Sequence, residues 1–378
     1  YSRMPMSMTL TELGQDPRSG VLRTIGQRPI DFAGVDGLWI PCFGSQTPWN
    51  THLGSEEDYD LYFVRNDGGH GATTAAGLKA LTDVYFKGTR QASPYRYGFI
   101  PEVEVHADGS TTVVKHYSMG RATWEQALVL PDRRTVYFGD DGDNVGLFLY
   151  VADRPEDLSA GTLYAARWHQ TSATGGGTAT LSWIRLGHAT DTEVRARIDA
   201  GTRFRDIFDI TTPAATPDWQ AQGYRPIGAG QLTTEHLRLR PGMEQAAAFL
   251  ETRRYAAYLG ATTELNKMEG VAVNARDRVL YLAMSYVDKG MTADPTGPAD
   301  HVQLPRLNAG ATYAIDTAAG QVDTAGTAIA SDWVGVAMRV PAALLGEDIA
   351  TDALGNTASP EKVANPDNLF FAEKMRIL

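Results

Sequence analysis

The sequence predicts an all-β chain, a β-propeller with short helical and loop insertions. Short apolar runs are separated by glycine, Asp-Gly and Pro-Asp turn signals, which is typical of sandwiches, barrels and propellers. One hairpin is explicit, because residues 102–106 and 111–115 alternate in polarity around an Asp-Gly turn. A second hairpin pattern recurs along the chain at nearly regular intervals. This repeat favours the propeller among the all-β folds.

Each copy of the repeat begins with an acidic residue. Glu125, Glu269 and Asp367 are each followed by apolar residues two and four positions on. An arginine stands nine positions after each acid: Arg134, Arg278 and Arg376. The acids are 144 and 98 residues apart, close to three and two copies of a unit of roughly 48–49 residues, which lies in the propeller range. Because blades surround one axis, we expect these acids to converge at one end of it.

Other elements follow from local patterns. Short aromatic and β-branched runs predict strands at residues 61–64, 135–138, 147–151, 162–166, 178–184 and 279–284. Helical periodicity is confined to residues 73–82 and 243–259. We expect a single domain over residues 1–378, with residues 1–35 as an N-terminal extension and a propeller that is incomplete at residue 378.

The charge balance excludes some partners. The chain carries 34 basic and 45 acidic residues, a formal charge of −11, and it has no Lys/Arg-rich run, so a nucleic-acid partner is not expected. No stretch approaches 18 apolar residues, so no membrane span is predicted. The single cysteine, Cys42, excludes an intrachain disulfide. Its apolar surroundings predict a small buried strand residue.

Two pairs of adjacent acids are candidate cation ligands. Glu56 and Glu57 follow Gly54 and Ser55, which permit the tight bend needed for neighbouring side chains to reach one site. Converging carboxylates require protons or cations; a solvated acidic turn is the alternative. The segment at residues 140–144, Asp-Asp-Gly-Asp-Asn, has the oxygen ligands of a calcium site. An Asp-rich β-turn has the same composition.

The acids of the repeat also allow two interpretations. They are either cation ligands at the axis, or strand caps that pair with the recurring arginine within each blade. The two interpretations differ in where the arginines point. Their common register favours a shared role in either case.

A resemblance to a known family narrows these alternatives. Residues 44–57, Gly-Ser-Gln-Thr-Pro-Trp-Asn-Thr-His-Leu-Gly-Ser-Glu-Glu, resemble the signature of the PhoX-type alkaline phosphatases. Further segments agree with that family in the same order: residues 120–125, 137–141, 161–167, 259–262, 267–269 and 366–369. The resemblance implies a β-propeller that hydrolyses phosphate monoesters with calcium and iron in one carboxylate-rich site. It also implies export in the folded state, hence a periplasmic or secreted protein.

The resemblance assigns roles to individual residues. The metal ligands that it implies are Glu56, Glu57, Glu125, Asp140, Asp141 and Glu269, and the repeat argument adds Asp367. Lys267 is expected to bind the phosphate of a small phosphate-ester substrate, and Asn368 to hydrogen-bond near it.

Two departures from the family pattern concern the metal and the substrate. Ser55 stands where the family has an iron-binding cysteine, and a hydroxyl is a poor substitute for a thiolate on iron. Lys267 stands where the family has an arginine, so the bidentate fork is lost. We therefore expect several calcium ions and little iron. The predicted function is a metal-dependent phosphatase-like hydrolase; the alternative is a non-catalytic calcium-binding propeller serving as an extracytoplasmic binding or surface module.

Overall fold

The computed structural model describes residues 6–57, 72–230, 234–375 and 377–378, and within these ranges the chain is mostly β-strand. The predicted strand at residues 61–64 and the arginine of the third repeat, Arg376, lie outside the described residues. An N-terminal hairpin of β1 (Thr9–Gln15) and β2 (Leu22–Pro29) stands apart as a two-stranded sheet. It occupies the segment expected as an N-terminal extension.

A four-stranded sheet follows the hairpin in sequence. Its strands pair in sequence order: β3 (Ser45–Gln46), β4 (His52–Leu53), β5 (Ile100–Val105) and β6 (Thr111–His116). The hairpin predicted around the Asp-Gly turn is β5–β6, in which Val103 pairs with Val113. This sheet lies next in sequence to the segment that carries Glu56 and Glu57.

A nine-stranded sheet forms the rest of the scaffold. Its first five strands are β7 (Trp124–Val129), β8 (Thr135–Asp140), β9 (Phe148–Arg154), β10 (Asp157–Ser172) and β11 (Thr178–Thr190). A separate small sheet contains β12 (Phe208–Thr211), β13 (Arg225–Ile227) and β14 (Glu235–Leu239). The nine-stranded sheet is completed by β15 (Met268–Asn274), β16 (Val279–Met284), β17 (Ala311–Ala318) and β18 (Val334–Arg339).

The order of the nine strands divides them into two four-stranded meanders. The order is β15-β16-β17-β18-β11-β10-β9-β8-β7, so the long β10–β11 hairpin connects the meander β7–β10 to the meander β15–β18. The first and last strands approach each other, because β15 also lies against β7 and β8. Four-stranded antiparallel meanders are the blades of propellers, and the all-β, propeller-like prediction is confirmed.

The predicted repeat is visible in the structure, because in each copy the residue five positions after the acid pairs with the residue ten positions after it. In the first copy the amide of Leu130 donates to the carbonyl of Thr135, 2.8 Å away. In the third copy Ala372 donates to Ile377 at 2.7 Å. The second copy pairs Asn274 with Val279. Only the first two copies extend into full strands among the described residues, since the third has a single isolated bridge.

Helices are short and few in the described part of the chain. They are α1 (Ala72–Ala80), α2 (Asp191–Asp199), α3 (Phe204–Ile207), α4 (Glu244–Leu250) and α5 (Thr252–Leu259). The single helix predicted at residues 243–259 is wrong, because it breaks at Glu251. That carboxylate accepts a bond from the distant Tyr95 Oη at 2.6 Å and one from the nearby Arg254 at 2.6 Å, so a tertiary partner fixes the residue at which the helix breaks.

The sheet is buried on both faces. Along β9, Phe148 and Tyr150 belong to one hydrophobic cluster, whereas Leu149 and Val151 belong to another. The first cluster is completed by α4 and α5, the second by the meander β15–β18. Within the described ranges, no helix combines the length and apolar composition needed to cross a bilayer.

Candidate metal centre

Three carboxylates from the two main hairpins meet in one place. Glu125 is on β7, Asp141 directly follows β8, and Glu269 is on β15. Each offers an oxygen within 4.8 Å of the others, and all three side chains are buried. The acids of the first two repeat copies thus converge. Three buried carboxylates at this spacing form an oxygen-rich set of the kind that hard cations bind.

The convergence depends on a glycine. A Cβ at Gly139, two residues before Asp141, would overlap the carbonyl oxygen of Glu269. Only a residue without a side chain lets β8 cross the start of β15 so closely. This close crossing explains why the segment 137–141 has a glycine at position 139. It brings the end of the first hairpin against the beginning of the second.

Glu57 joins the cluster from the end of the described range 6–57. Its backbone forms an isolated bridge with Thr123, and its amide donates to the carbonyl of Ile40 at 3.0 Å. Its carboxyl group hydrogen-bonds the carboxyl group of Asp141. Glu57 and Asp141 therefore belong to one group of interacting acids.

Cys42 is a residue of this site that sequence reasoning missed. It was expected to be a buried strand residue; instead it is exposed and lies in a loop. Its Sγ donates to Glu125 Oε1 at 3.2 Å, and Cys42, Glu57 and Glu125 offer ligand atoms within 4.8 Å of one another. The signal that was available is Pro41, because a proline is disfavoured within a paired strand.

Lys267 contributes a positive charge to the cluster. Its Nζ lies 2.7 Å from Asp141 Oδ2 and 2.9 Å from Glu269 Oε1. The side chain remains about one-third exposed, at 31%. Burial opposes its charge, but Asp141 and Glu269 outweigh burial and raise the pKa of the Lys267 ammonium. Lys267 is therefore a permanent cation that solvent reaches.

Burial makes these carboxyl groups hard to ionise. It raises the pKa of Glu125 to about 7, with Glu269 and Asp367 adding to the effect. Burial also raises the pKa of Asp141 to about 7, and the hydrogen bond with Glu57 adds to it. The pKa values of Glu57 and Glu269 are raised as well, again mainly by burial. A cluster that retains protons near neutral pH is one in which a cation can replace them.

Asp367 and Asn368 lie at the edge of the cluster. Both are exposed, and the segment is fixed by a hydrogen bond of 3.1 Å from Gly270 N to the carbonyl of Asp367. A Cβ at Gly270 would lie 2.6 Å from the amide nitrogen of Leu369, so this segment also depends on a glycine for its approach. The charge of Asp367 acts on Glu125 and Glu269.

Comparison with known proteins gives a family match and a structural match. The family model described as "Alkaline phosphatase PhoX" matches residues 7–377. This chain belongs to the PhoX family. Among solved structures it is similar to Pseudomonas fluorescens PhoX in complex with vanadate, a transition state analogue, with 19% identity and a TM-score of 0.52. That match covers 89% of this chain and 54% of the other, so the chain spans about half the length of that structure. No curated protein matches significantly.

The remaining predicted ligands of the PhoX set have other partners. Glu56 is fully buried; its Oε1 accepts from Trp39 N at 2.9 Å and Lys115 Nζ at 3.0 Å. Its Oε2 accepts from Gly98 N at 3.0 Å and Phe99 N at 3.1 Å. The oxygens of Glu56 are therefore occupied by donors of the protein itself.

Asp140 is held in the same way. It is fully buried, and the guanidinium of Arg253 grips both of its oxygens, with Nε 3.0 Å from Oδ2. Gly146 N also donates to Oδ2, at 3.1 Å. The structure thus brings one member of each adjacent acid pair, Glu57 and Asp141, into the cluster and binds the other elsewhere.

The recurring arginines do not pair with the recurring acids. Arg134 donates to the carbonyl of Ala152. Arg278 donates to the carbonyl of Asp332 and stacks on Trp333, with the guanidinium carbon 4.3 Å from the ring centroid. For these two copies, the interpretation of the acids as partners of the arginines is wrong. The arginines fasten turns to neighbouring strands, which leaves the carboxylates for the cluster.

Proposed function

We propose that this protein is a metal-dependent phosphatase that hydrolyses small phosphate monoesters at the Glu57, Glu125, Asp141 and Glu269 cluster, with calcium as a cation. The convergence of Glu125, Asp141 and Glu269 within 4.8 Å is the observation that carries the proposal. The metal dependence of the PhoX family fits this donor set, because carboxylate oxygens are the preferred ligands of calcium.

The proposed ligands are those with oxygens directed at the cluster, and Asp367, whose charge acts on Glu125 and Glu269, is proposed to join them. Glu56 and Asp140, included in the sequence-based set, are proposed here as residues that position Glu57 and Asp141. When bound, the cations would offset the negative charge of the phosphoryl oxygens. The protein's own carboxylates would hold the cations.

Lys267 is proposed to bind the substrate phosphate as a point charge. Its side chain is partly exposed and its ammonium adjoins the cluster, so a phosphate ester from solvent can contact it. Asn368, exposed beside Asp367, is proposed to donate a hydrogen bond to the same phosphate. Export from the cytoplasm, as a periplasmic or secreted protein, is proposed on the basis of the family.

Metal analysis of the purified protein and hydrolysis of p-nitrophenyl phosphate, with and without calcium, test the proposal. We expect bound calcium, turnover that a chelator abolishes, and loss of both in Glu125→Gln. Exposed Glu347, which makes none of the cluster contacts, offers the matched control Glu347→Gln. Calcium-independent turnover, or equal calcium content in both variants, would contradict the proposal.

Kinetics of Lys267 variants test the substrate role. Lys267→Met should raise KM without weakening calcium binding, because it removes a positive charge from beside the ligands. Lys267→Arg should lower KM relative to Lys267→Met, since it keeps the charge and adds the bidentate fork.

The alternative function, a non-catalytic calcium-binding module, is favoured by one observation. Lys267 already pairs with both Asp141 and Glu269, which in such a module would be its permanent role. Calcium bound stoichiometrically to a protein without phosphomonoesterase activity, and with the same affinity in the presence of inorganic phosphate, would support this alternative.

A further inference from the structure

We propose that an apolar cavity beside the acid cluster binds the alcohol part of the substrate, so that the protein prefers phosphate monoesters of apolar aromatic alcohols. The inference rests on the proposed function and names its substrate class. The cavity has a volume of about 450 Å³ and lies where β7 contacts both β3 and β15. Its main apolar side chains are Phe43, Leu128, Val271, Val273, Leu369 and Phe371.

The cavity begins next to the acids of the repeat. Each of the three copies contributes an acid and, one or two positions later, a residue that lines the cavity. These pairs are Glu125 with Gln126, Glu269 with Val271, and Asp367 with Leu369. Because consecutive Cα atoms are about 3.8 Å apart, the lining begins within about 8 Å of the backbone of each acid. An ester whose phosphate contacts the cluster therefore places its alcohol within reach of the cavity.

A β-bulge at each of the first two acids separates the cluster from the cavity. The pairing of β7 with β8 shifts register between Trp124 and Gln126, and that of β15 with β16 shifts between Met268 and Val271. A bulge takes a residue out of the ladder and bends the strand, so the acid can serve the cluster while the residues after it line the cavity. Gln126 joins the two strands at this level, since its Oε1 accepts a bond from Val271 N at 2.5 Å.

The chemistry of the lining selects an apolar group. The described residues that line the cavity include no acidic or basic side chain. Its polar side chains already bind other parts of the protein: Ser45 Oγ donates to the carbonyl of Ala127 at 2.5 Å, and Gln46 Nε2 donates to Asn50 Oδ1 at 3.1 Å. A charged or polyhydroxylated alcohol would lose water here without equivalent hydrogen bonds, whereas an aromatic ring gains from burial.

The volume indicates the size of the alcohol. An apolar cavity of about 150 Å³ takes up benzene, and this cavity, at about 450 Å³, is larger. A two-ring aromatic group therefore fits. The wall from the third copy is fixed, because the ring of Phe371 stacks on that of Tyr281 with centroids 5.9 Å apart. Phe43 and Phe371 provide rings against which an aromatic alcohol can pack.

Calorimetric titration of the calcium-loaded protein with 1-naphthol tests the cavity without turnover. We expect binding to the unmodified protein, unchanged by inorganic phosphate, and no binding to Leu128→Trp or Val273→Trp, which fill the cavity from β7 and from β15. Val105→Trp, at the exposed end of β5, is the matched control and should bind 1-naphthol normally. No binding to the unmodified protein, or equal binding to both filling variants, would overturn the inference.

Kinetics relate the cavity to the substrate. In the unmodified protein, KM should be at least about tenfold lower for 1-naphthyl phosphate than for phenyl phosphate, because the cavity buries the second ring. In Leu128→Trp, KM for 1-naphthyl phosphate should rise at least about tenfold, while kcat/KM for glycerol 2-phosphate stays within about twofold. Equal losses for the two esters, in Leu128→Trp and in Val273→Trp alike, would refute a role in alcohol binding.

The inference and the proposed function can fail separately. If glycerol 2-phosphate is hydrolysed but 1-naphthol does not bind, only the inference fails. If no ester is hydrolysed, the proposed function fails, and binding of 1-naphthol that both filling variants abolish still supports the apolar ligand assigned to the cavity. Self-association that Leu128→Trp abolishes, without binding of 1-naphthol, would assign the cavity to a second copy of the chain and overturn the inference.

Discussion

Two kinds of buried carboxylate lie side by side in this protein. Glu56 and Asp140 are held by Lys115 and Arg253 together with backbone amides, whereas their neighbours Glu57 and Asp141 face other acids. The residue types are the same in both sets, and Glu56, Asp140 and Asp141 are fully buried whereas Glu57 is half-buried. What differs is the neighbouring cation: Lys115 and Arg253 are fully buried, whereas Lys267 beside Asp141 is 31% exposed, so a cation from solvent can reach this carboxylate.

The largest expected effect is a loss of stability at the fully buried pair of Asp140 and Arg253. Asp140→Asn leaves the Arg253 guanidinium buried without its counter-charge, so we expect a loss of about 3–5 kcal/mol in unfolding free energy. Asp141→Asn, the same change one residue on, should cost about 1 kcal/mol or less in the metal-free protein, since Lys267 is partly exposed and keeps Glu269. Urea denaturation with a chelator measures both; equal losses would break the comparison.

Calcium should stabilise the protein through the acids of the cluster. At about a hundred times its dissociation constant, a ligand of the folded state adds about 2.7 kcal/mol. Thermal unfolding with calcium and with a chelator should show this difference for the unmodified protein and for Glu347→Gln, but not for Glu125→Gln. A thermal unfolding midpoint that does not change with calcium in the unmodified protein would show that these acids do not form a calcium site.

The close crossing of β8 and β15 provides a test of how the cluster is assembled. Gly139→Ala forces these strands apart, at a cost of about 1–3 kcal/mol, and should weaken calcium binding by moving Asp141 from Glu269. Gly26→Ala in β2, where the nearest atom to the new Cβ is 4.0 Å away, should change stability by only about 0.5 kcal/mol. Calcium titration followed by calorimetry separates the two effects. Unchanged calcium affinity in Gly139→Ala would mean that the crossing does not set the ligand distances.

The pH dependence of stability should report on the acids of the cluster. The folded-state pKa values of Glu125 and Asp141, about 7, are above their ordinary values of 4.5 and 3.8. Their contribution is therefore complete below about pH 4 and is lost as the pH rises through about 7, because the unfolded chain ionises first. In chelator, the stability of the unmodified protein relative to Glu125→Gln should fall over this range. A flat difference would contradict the raised pKa of Glu125.

Local pattern was sufficient for much of the fold. Alternation, turn residues and the recurrence of an acid with an arginine nine positions on predicted β5–β6, β7–β8 and β15–β16, because these depend on neighbours in sequence. The helix at residues 243–259 could not be predicted as two, since the break at Glu251 is caused by the distant Tyr95.

The sequence by itself determined that acidic residues would recur in register, and that Glu125 and Glu269 would begin equivalent strands. Only the tertiary structure decided which acids form the cluster. Glu56 and Glu57 are chemically equal in sequence, but Lys115, 59 residues from Glu56, binds Glu56. In the second pair, Arg253, 113 residues from Asp140, binds the carboxylate of Asp140. Cys42 reaches Glu125 across 83 residues. Such partners are brought together by the packing of blades, and local sequence carries no record of it.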